Sequence, residues 1–249
     1  MAEPLLMAQE LTKTFGALKA TDELSLEVES GEIHAMIGPN GAGKTTAIGQ
    51  LSGELKSDAG TIFFAGRDIT RLPMHKRAHL GLARSFQITS IFLSFTALDN
   101  VAMAIQAHDG HSFRFWKPAR ADSKLQGPAC EALDKVGLAH RAQIVAANLS
   151  HGEQRQLELA MALATNPSLL LLDEPMAGMG LEDSSQMIDL LKSLKGDITI
   201  LMVEHDMNAV FALADRITVL VYGKTIATGT PEKIHTDPAV RQAYLGGDA

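Results

Sequence analysis

The sequence predicts an α/β domain built on a mainly parallel sheet, and three observations carry that expectation. Apolar strand-like runs at roughly 33–37, 61–64, 169–173, 198–203 and 217–221 alternate with helical patterns at 44–53, 151–165, 181–195 and 206–214. A glycine-rich turn, G-P-N-G-A-G-K-T from Gly38 to Thr45, joins the first of those runs to the first helical pattern. Between Gln87 and Leu149 the strand signals stop, and helical patterns around 97–107 and 123–137 read as an inserted α-helical subdomain.

Taken in order, E-I-H-A-M-I-G is apolar enough for a buried strand, and T-T-A-I-G-Q-L-S-G reads as a helix ending near Gly53. The stretch after Gln87, I-T-S-I-F-L-S-F-T-A-L-D-N-V, puts Ile91, Phe92, Leu93 and Phe95 in a loop, so part of this apolar surface is expected to be exposed. The two helical patterns of the insert are joined by H-D-G-H-S-F-R-F-W-K-P-A-R, where Arg114, Lys117 and Arg120 cluster with Trp116, a basic-aromatic mix suited to a partner's surface or lipid head groups. L-L-L-L-D-E-P from Leu169 to Pro175 and I-T-I-L-M-V-E-H-D are buried strands ending in polar residues. Near the end, T-G-T-P-E-K-I combines an N-cap threonine with proline in the first helical turn, and a last helix follows Pro238.

At 249 residues and 46% hydrophobic, the chain is long enough to fill a substantial core, with no internal repeat. No apolar run approaches the ~20 residues of a membrane-spanning helix, and M-A-E-P-L-L-M-A-Q-E lacks the basic start and apolar stretch of a secretory signal. Any membrane role is therefore expected to come through a partner. A net charge of −7 argues against general nucleic-acid binding. The single cysteine, Cys130, excludes an intrachain disulfide and fits a reducing cytosol, with Cys130 an inert side chain on a helix.

The glycine-rich turn is a Walker A pattern. Its residues, from Gly38 through Pro39, Asn40, Gly41, Ala42 and Gly43 to Lys44, Thr45 and Thr46, form a loop whose backbone N–H groups, absent only at the proline, suit the β- and γ-phosphates of ATP. Lys44 adds a point charge and Thr45 a hydroxyl for Mg²⁺, while the following helix turns its positive end to the anion. About one chain in a hundred of this length would show the pattern by chance, and the strand before it and helix after it lower that figure. Asp173 and Glu174 stand at the C-terminal end of a strand, where open α/β sheets place ligand chemistry, Asp173 as a Mg²⁺ carboxylate and Glu174 one residue further out. His205, at the tip of a parallel strand, is a candidate for the γ-phosphate.

With these residues in place, the chain resembles the ATP-binding-cassette (ABC) ATPases over nearly its whole length. The motifs come in that family's order: Phe15, Walker A, Gln87, the signature L-S-H-G-E-Q from Leu149 to Gln154, Walker B, a D-loop region and His205. Within the family, G-L-A-R-S-F-Q, V-A-M-A-I-Q-A-H, D-E-P-M-A-G-M-G, E-H-D-M and the ending I-A-T-G-T-P-E-K-I…D-P-A-V-R-Q-A-Y-L-G resemble the ATPase subunits of branched-chain or hydrophobic amino-acid importers. The resemblance implies a single domain over 1–249. A P-loop nucleotide-binding core takes 1–87 and 158–249, with an antiparallel β portion near the N-terminus, and a helical subdomain with the signature takes 88–157. It implies a head-to-tail pair of ATPase subunits, self or paralogue, with two ATPs between them.

In that arrangement Ser150, Gly152 and Glu153 meet the nucleotide of the opposite subunit, and Phe15 stacks on adenine. Glu174 orients or deprotonates the attacking water, His205 stabilises the γ-phosphate side, Lys44 neutralises charge, and Gln87 links metal and water to the helical subdomain. The implied partners are permease subunits at the cytoplasmic face of the plasma membrane and, indirectly, an extracytoplasmic solute-binding protein. Two positions depart from the pattern. His151 stands where the signature usually has glycine, so its side chain must point away from the phosphate or the contact across the pair is weakened, and Gly180 stands at the usual D-loop aspartate, which leaves aspartate-mediated coupling of the two sites open.

Other readings of the same motifs are a soluble clamp in DNA repair or translation, an exporter ATPase, and a cassette that binds ATP without hydrolysing it. One cassette without sustained heptads weighs against the clamp, and intact Glu174 and His205 weigh against the silent cassette. Only the late-chain resemblance separates import from export.

Overall fold

The computed structural model describes residues 3–85, 91–109 and 122–245. Two long strands, β1 (Leu6–Phe15) and β2 (Leu18–Val28), form an antiparallel hairpin that turns at Gly16, φ +60°. Along β2, buried Leu24, Leu26 and Val28 alternate with exposed Glu23, Ser25 and Glu27, the pattern of a sheet with one dry face. Register breaks in this pair coincide with left-handed backbone at Glu10 (φ +50°) and Glu23 (φ +57°), as β-bulges require.

The next strand, β3 (Ile33–Ile37), leads through the glycine-rich turn into α1 (Lys44–Ser52), which Gly53 ends in a left-handed cap as expected. The run at 61–64 is a strand, β4 (Ala59–Phe64), but it does not join the parallel sheet. It pairs antiparallel with β1 and, with the two-residue β5 (Arg67–Asp68), completes a four-stranded sheet of order β2-β1-β4-β5. Its burial is one-sided, whereas every residue of β3 is buried.

A short helix, α2 (Met74–Ala78), carries Arg77, which is 2% exposed and has no counterpart in the sequence-based expectations. Its guanidinium donates to the carbonyls of Gln50 (2.9 Å), Leu51 (2.7 Å), Leu72 (2.8 Å) and Thr70 (3.1 Å), the first two in the last turn of α1, where Gln50 also accepts the Gly53 N–H (3.2 Å). Burial pushes its pKa down to about 10.

After β6 (Leu82–Arg84), the chain forms α3 (Ala97–Asp109) and α4 (Ser123–Lys135), then two single 3₁₀ turns and α5 (His151–Leu163), so the strand-free stretch is helical as expected. Cys130 is exposed on α4. The remaining elements are β7 (Leu169–Asp173), α6 (Leu181–Leu194), β8 (Thr199–Val203), α7 (Met207–Leu213), β9 (Arg216–Val221), β10 (Lys224–Gly229), α8 (Pro231–Thr236) and α9 (Pro238–Leu245). The second sheet has order β10-β9-β3-β8-β7-β6, parallel except for the β9–β10 pair.

The uniform hydrophobicity of β3, β7 and β8 follows from burial on both faces. Ile33, Ala35, Leu170, Leu172, Ile200 and Met202 join the cluster that includes α3 to α7. Met36, Leu169, Leu171, Leu201 and Val203 join the other, with α1 and the antiparallel sheet. The sheet is thus clamped from both sides, and its strand ends are fixed points for the loops beyond them. Among the described residues no helix is long and apolar enough to cross a membrane.

Candidate active site

Two glycines of the turn after β3 are sterically required. A Cβ at Gly38 would stand 2.2 Å from the Leu220 carbonyl oxygen, and one at Gly43 (φ +101°) would stand 2.1 Å from that of Ala20. Only glycine lets the loop lie this close to β9 and β2. Lys44 is 8% exposed, and its Nζ donates to the carbonyls of Gly38 (2.7 Å) and Pro39 (3.1 Å), inside the turn. Burial lowers its pKa, against the opposing pull of Glu174 and Asp173, so the lysine and both acids of the β7 end share one electrostatic neighbourhood. Asn40, Gly41 and Thr45 are exposed along the loop, Pro39, Gly43 and Thr46 are half-buried, and Ala42 is buried.

Asp173 closes β7 and is 1% exposed. Its Oδ2 accepts a 3.4 Å bond from the Arg84 guanidinium, while its Oδ1 is buried with no hydrogen-bond partner among the described residues. Burial raises its pKa; Arg84 opposes that rise and Glu174 adds to it. An orphaned carboxylate oxygen near the exposed hydroxyl-bearing end of α1 is what a hard divalent cation asks for, so Asp173 and Thr45 fit Mg²⁺. Arg84, which the sequence reading did not single out, is itself buried and also engages Ser52 Oγ (3.1 Å) and the Glu54 carboxylate. Its signal in the sequence is a cation on a short strand beside an apolar one that ends in acids.

Glu174 turns out of the strand with φ +52°, a strained conformation for a non-glycine residue, held by its N–H to the Val203 carbonyl (2.9 Å). Its carboxylate lies 3.8 Å from His205 Nδ1, and the His205 side chain is 63% exposed. The base candidate and the γ-phosphate candidate therefore meet at neighbouring strand tips. Phe15, at the end of β1, is 49% exposed with Lys13 Nζ 5.6 Å from its ring centroid, so it is a free face rather than core. Gln87 lies outside the described residues, as do Arg114, Trp116, Lys117 and Arg120.

The signature is organised as the N-terminus of α5. Ser150 caps the helix by accepting from Glu153 N–H (3.2 Å), while the Glu153 carboxylate accepts from Ser150 N–H (2.8 Å), a reciprocal capping box. Arg141 donates to the same carboxylate at 2.7 and 3.1 Å. Glu153 is therefore engaged within its own chain, and its pKa is lowered first by the Arg141 bond. The Ser150 oxygen accepts in the cap and keeps its O–H to donate elsewhere.

The His151 ring lies against Gly178 in the loop after β7, its Cε1 3.3 Å from where a Gly178 Cβ would be. The ring at 151 therefore packs on a loop of its own chain. Gly152 packs against Asp183, whose carboxyl carbon would stand 2.7 Å from a Cβ there. Gly180 is the N-cap of α6 and offers no side chain, so Asp183 is the nearby acid of that segment. Among the described residues, no hydrogen bond or ion pair joins Ser150, His151 or Gly152 to Lys44, Asp173 or Glu174.

Comparison with known proteins agrees with this geometry. Residues 21–177 match the profile of the family described as "ABC transporter", and residues 224–249 match that of the "Branched-chain amino acid ATP-binding cassette transporter". The chain is 40% identical over 253 residues to a high-affinity branched-chain amino acid transport ATP-binding protein, LivG, of Salmonella typhimurium, covering 99% of each. It is 38% identical to BraF, of the same description, from Pseudomonas aeruginosa, again over 99% of each. Among solved structures, the ADP conformation of MJ1267, an ATP-binding cassette of an ABC transporter, superposes with a TM-score of 0.86 at 30% identity over 98% of this chain and 100% of that one. A dimeric post-hydrolysis cassette, MJ0796, with ADP and phosphate, shares the fold at 23% identity and a TM-score of 0.76, over 91% and 98%.

Proposed function

The chain belongs to the ABC transporter family of ATP-binding cassettes, and we propose that it is the ATP-hydrolysing subunit of an importer for branched-chain or other hydrophobic amino acids. One observation carries the hydrolytic part. The phosphate turn, the buried Asp173 with its orphaned oxygen and the Glu174–His205 pair converge at one strand-end corner, while among the described residues no hydrogen bond or ion pair joins Ser150, His151 or Gly152 of the capped signature to Lys44, Asp173 or Glu174. Each chain then offers two half-sites. Two copies, or this chain and a paralogue, complete both when Ser150 and the α5 N-terminus of one meet the phosphates held by Lys44 of the other.

In this reading Asp173 and Thr45 hold Mg²⁺, which supplies charge neutralisation across the β- and γ-phosphates. Phe15 stacks on adenine, Glu174 takes the proton of the attacking water, and His205 donates to the γ-phosphate oxygen that gains charge. Gln87 joins this site to the helical subdomain over 88–157. Glu153 contributes by fixing Ser150 and the α5 N-terminus rather than by touching the nucleotide. The likeness to LivG and BraF and the C-terminal match support import and the amino-acid substrate class.

Coupling to permease subunits at the cytoplasmic membrane face, with a solute-binding protein beyond them, needs an exposed apolar surface, and the loop before α3 supplies it. Phe92, Leu93 and Phe95 are 50%, 53% and 37% exposed, and the two rings meet edge-on at 5.8 Å between centroids. The loop is rigidly held: buried Asn100 accepts from Phe92 N–H (2.7 Å) and donates to its carbonyl (3.1 Å), and Ala147 N–H donates to the Leu93 carbonyl (3.0 Å). A rigid loop with outward aromatics is a docking surface at little entropic cost. Phe92→Ser is expected to keep ATP binding in the isolated subunit, and to lose both co-purification with the permeases and transport-linked stimulation of hydrolysis. A variant that assembles and transports normally places the coupling surface elsewhere.

A further inference from the structure

Glu204, the residue after β8, is 1% exposed and bonded to no lysine or arginine among the described residues, although its Oε2 also lies 4.0 Å from the Nδ1 of the exposed His205 ring. A buried carboxylate is costly unless its oxygens are fully engaged, and here backbone N–H groups engage them. Oε1 accepts from Met176 N–H at 3.0 Å, and Oε2 accepts from His205 N–H at 3.0 Å and Asp206 N–H at 3.4 Å. Met176 stands two residues beyond Glu174 on the loop leaving β7; His205 and Asp206 belong to the loop leaving β8. One side chain thus ties together the two loops that carry the hydrolytic pair.

The strands already fix the roots of these loops, through the Asp173–Val203 register and the bond from Glu174 N–H to the Val203 carbonyl. Beyond that point the ladder ends, and Glu204 is the next tie outward. We propose that Glu204 is a positioning residue that sets the Glu174–His205 separation, 3.8 Å in this structure, so that base and phosphate donor act on one reacting centre. The inference rests on the hydrolytic reading of Glu174 and His205. A misplacement of about 1 Å at a reacting centre costs on the order of 10²-fold in rate, which sets the scale of the effect.

Glutamine at this position keeps the shape but replaces one oxygen with an NH₂ that can only donate. Whichever way the amide turns, one loop loses its acceptor. Aspartate keeps the charge but is one methylene shorter and cannot span both loops. The test is a double-mutant cycle on the full chain, measuring steady-state hydrolysis and ATP affinity for Glu204→Gln, Glu204→Asp, His205→Ala and the Glu204→Gln/His205→Ala pair.

Both Glu204 variants are expected to lose about 10- to 100-fold in kcat with the KM for ATP within about twofold. With His205 already removed, Glu204→Gln should cost less than about twofold more, because little is left to position. Retained ATP affinity in either variant certifies the fold, since no bond from Glu204 reaches the phosphate turn. Equal losses with and without His205, KM rising in step with falling kcat, or unchanged kcat in both single variants would each overturn the proposal. The hydrolytic reading is scored separately: near-normal turnover in Glu174→Gln defeats that reading, whatever the cycle shows.

Discussion

Replacing Glu174 with glutamine isolates basicity from shape. The residue sits in strained backbone (φ +52°) anchored by its own N–H, and neither feature depends on the carboxylate, so the amide should take the same position. The carboxylate makes no hydrogen bond to the phosphate turn; among the described residues its ion-pair partner is His205 Nδ1 at 3.8 Å, with Lys44 and Asp173 acting on it through space. Nucleotide binding should therefore survive. A positioned general base contributes about 10²–10⁴ in rate, equivalent to about 2.7–5.4 kcal/mol of barrier at ~1.36 kcal/mol per tenfold. The side chain is only 24% exposed, so bulk water has limited access to replace it, which favours the upper half of that range. The assay is phosphate release at saturating ATP and Mg²⁺, paired with equilibrium binding of a fluorescent ATP analogue. Turnover within about threefold of the unaltered chain would refute the assignment; lost turnover with equally lost binding would move Glu174 into the binding machinery.

Two further expectations concern stability. Arg77→Met should destabilise by about 3 kcal/mol in urea unfolding, because it takes the guanidinium donors from the Leu51, Leu72 and Thr70 carbonyls and leaves Gln50 only the Gly53 N–H; a change below about 1 kcal/mol would show that water or repacking replaces them. Glu153→Gln should lower stability only modestly at pH 7, because glutamine can still close the capping box and what is lost is a largely exposed ion pair to Arg141. Since that pairing lowers the Glu153 pKa in the fold, its contribution is present above the ordinary glutamate value of ~4.3 and disappears as pH falls through the lower folded value. The gap in melting temperature between the two proteins should accordingly persist from pH 7 to 5 and close below about pH 4, and a pH-independent gap would contradict this.

The parallel sheet was legible because its central strands are buried on both faces and read as unbroken apolar runs, as in L-L-L-L-D and T-I-L-M-V. The same rule hid β10, whose half-buried and exposed residues alternate at a sheet edge, and β6, only three residues long. It also grouped 61–64 with the wrong sheet, since I-F-F does not announce which partner it pairs with. In the site, Lys44, Asp173, Glu174 and His205 could be named because their spacing from turn and strand ends is itself chemical information. Arg84 and Glu204 could not. Their importance lies in contacts to Asp173 and to the Met176 amide, across long sequence separations that no local pattern records. The packing of His151 against Gly178, φ +75°, likewise spans a loop and a helix that no local pattern joins.

If ATP is held between two cassettes, Lys44 of one facing Ser150 of the other, sedimentation of the Glu174→Gln chain with and without ATP will show it. The chain should be a monomer without nucleotide and a dimer with ATP; adding Ser150→Arg should abolish that dimer while leaving ATP affinity unchanged. A dimer that forms without nucleotide and tolerates Ser150→Arg would contradict that arrangement.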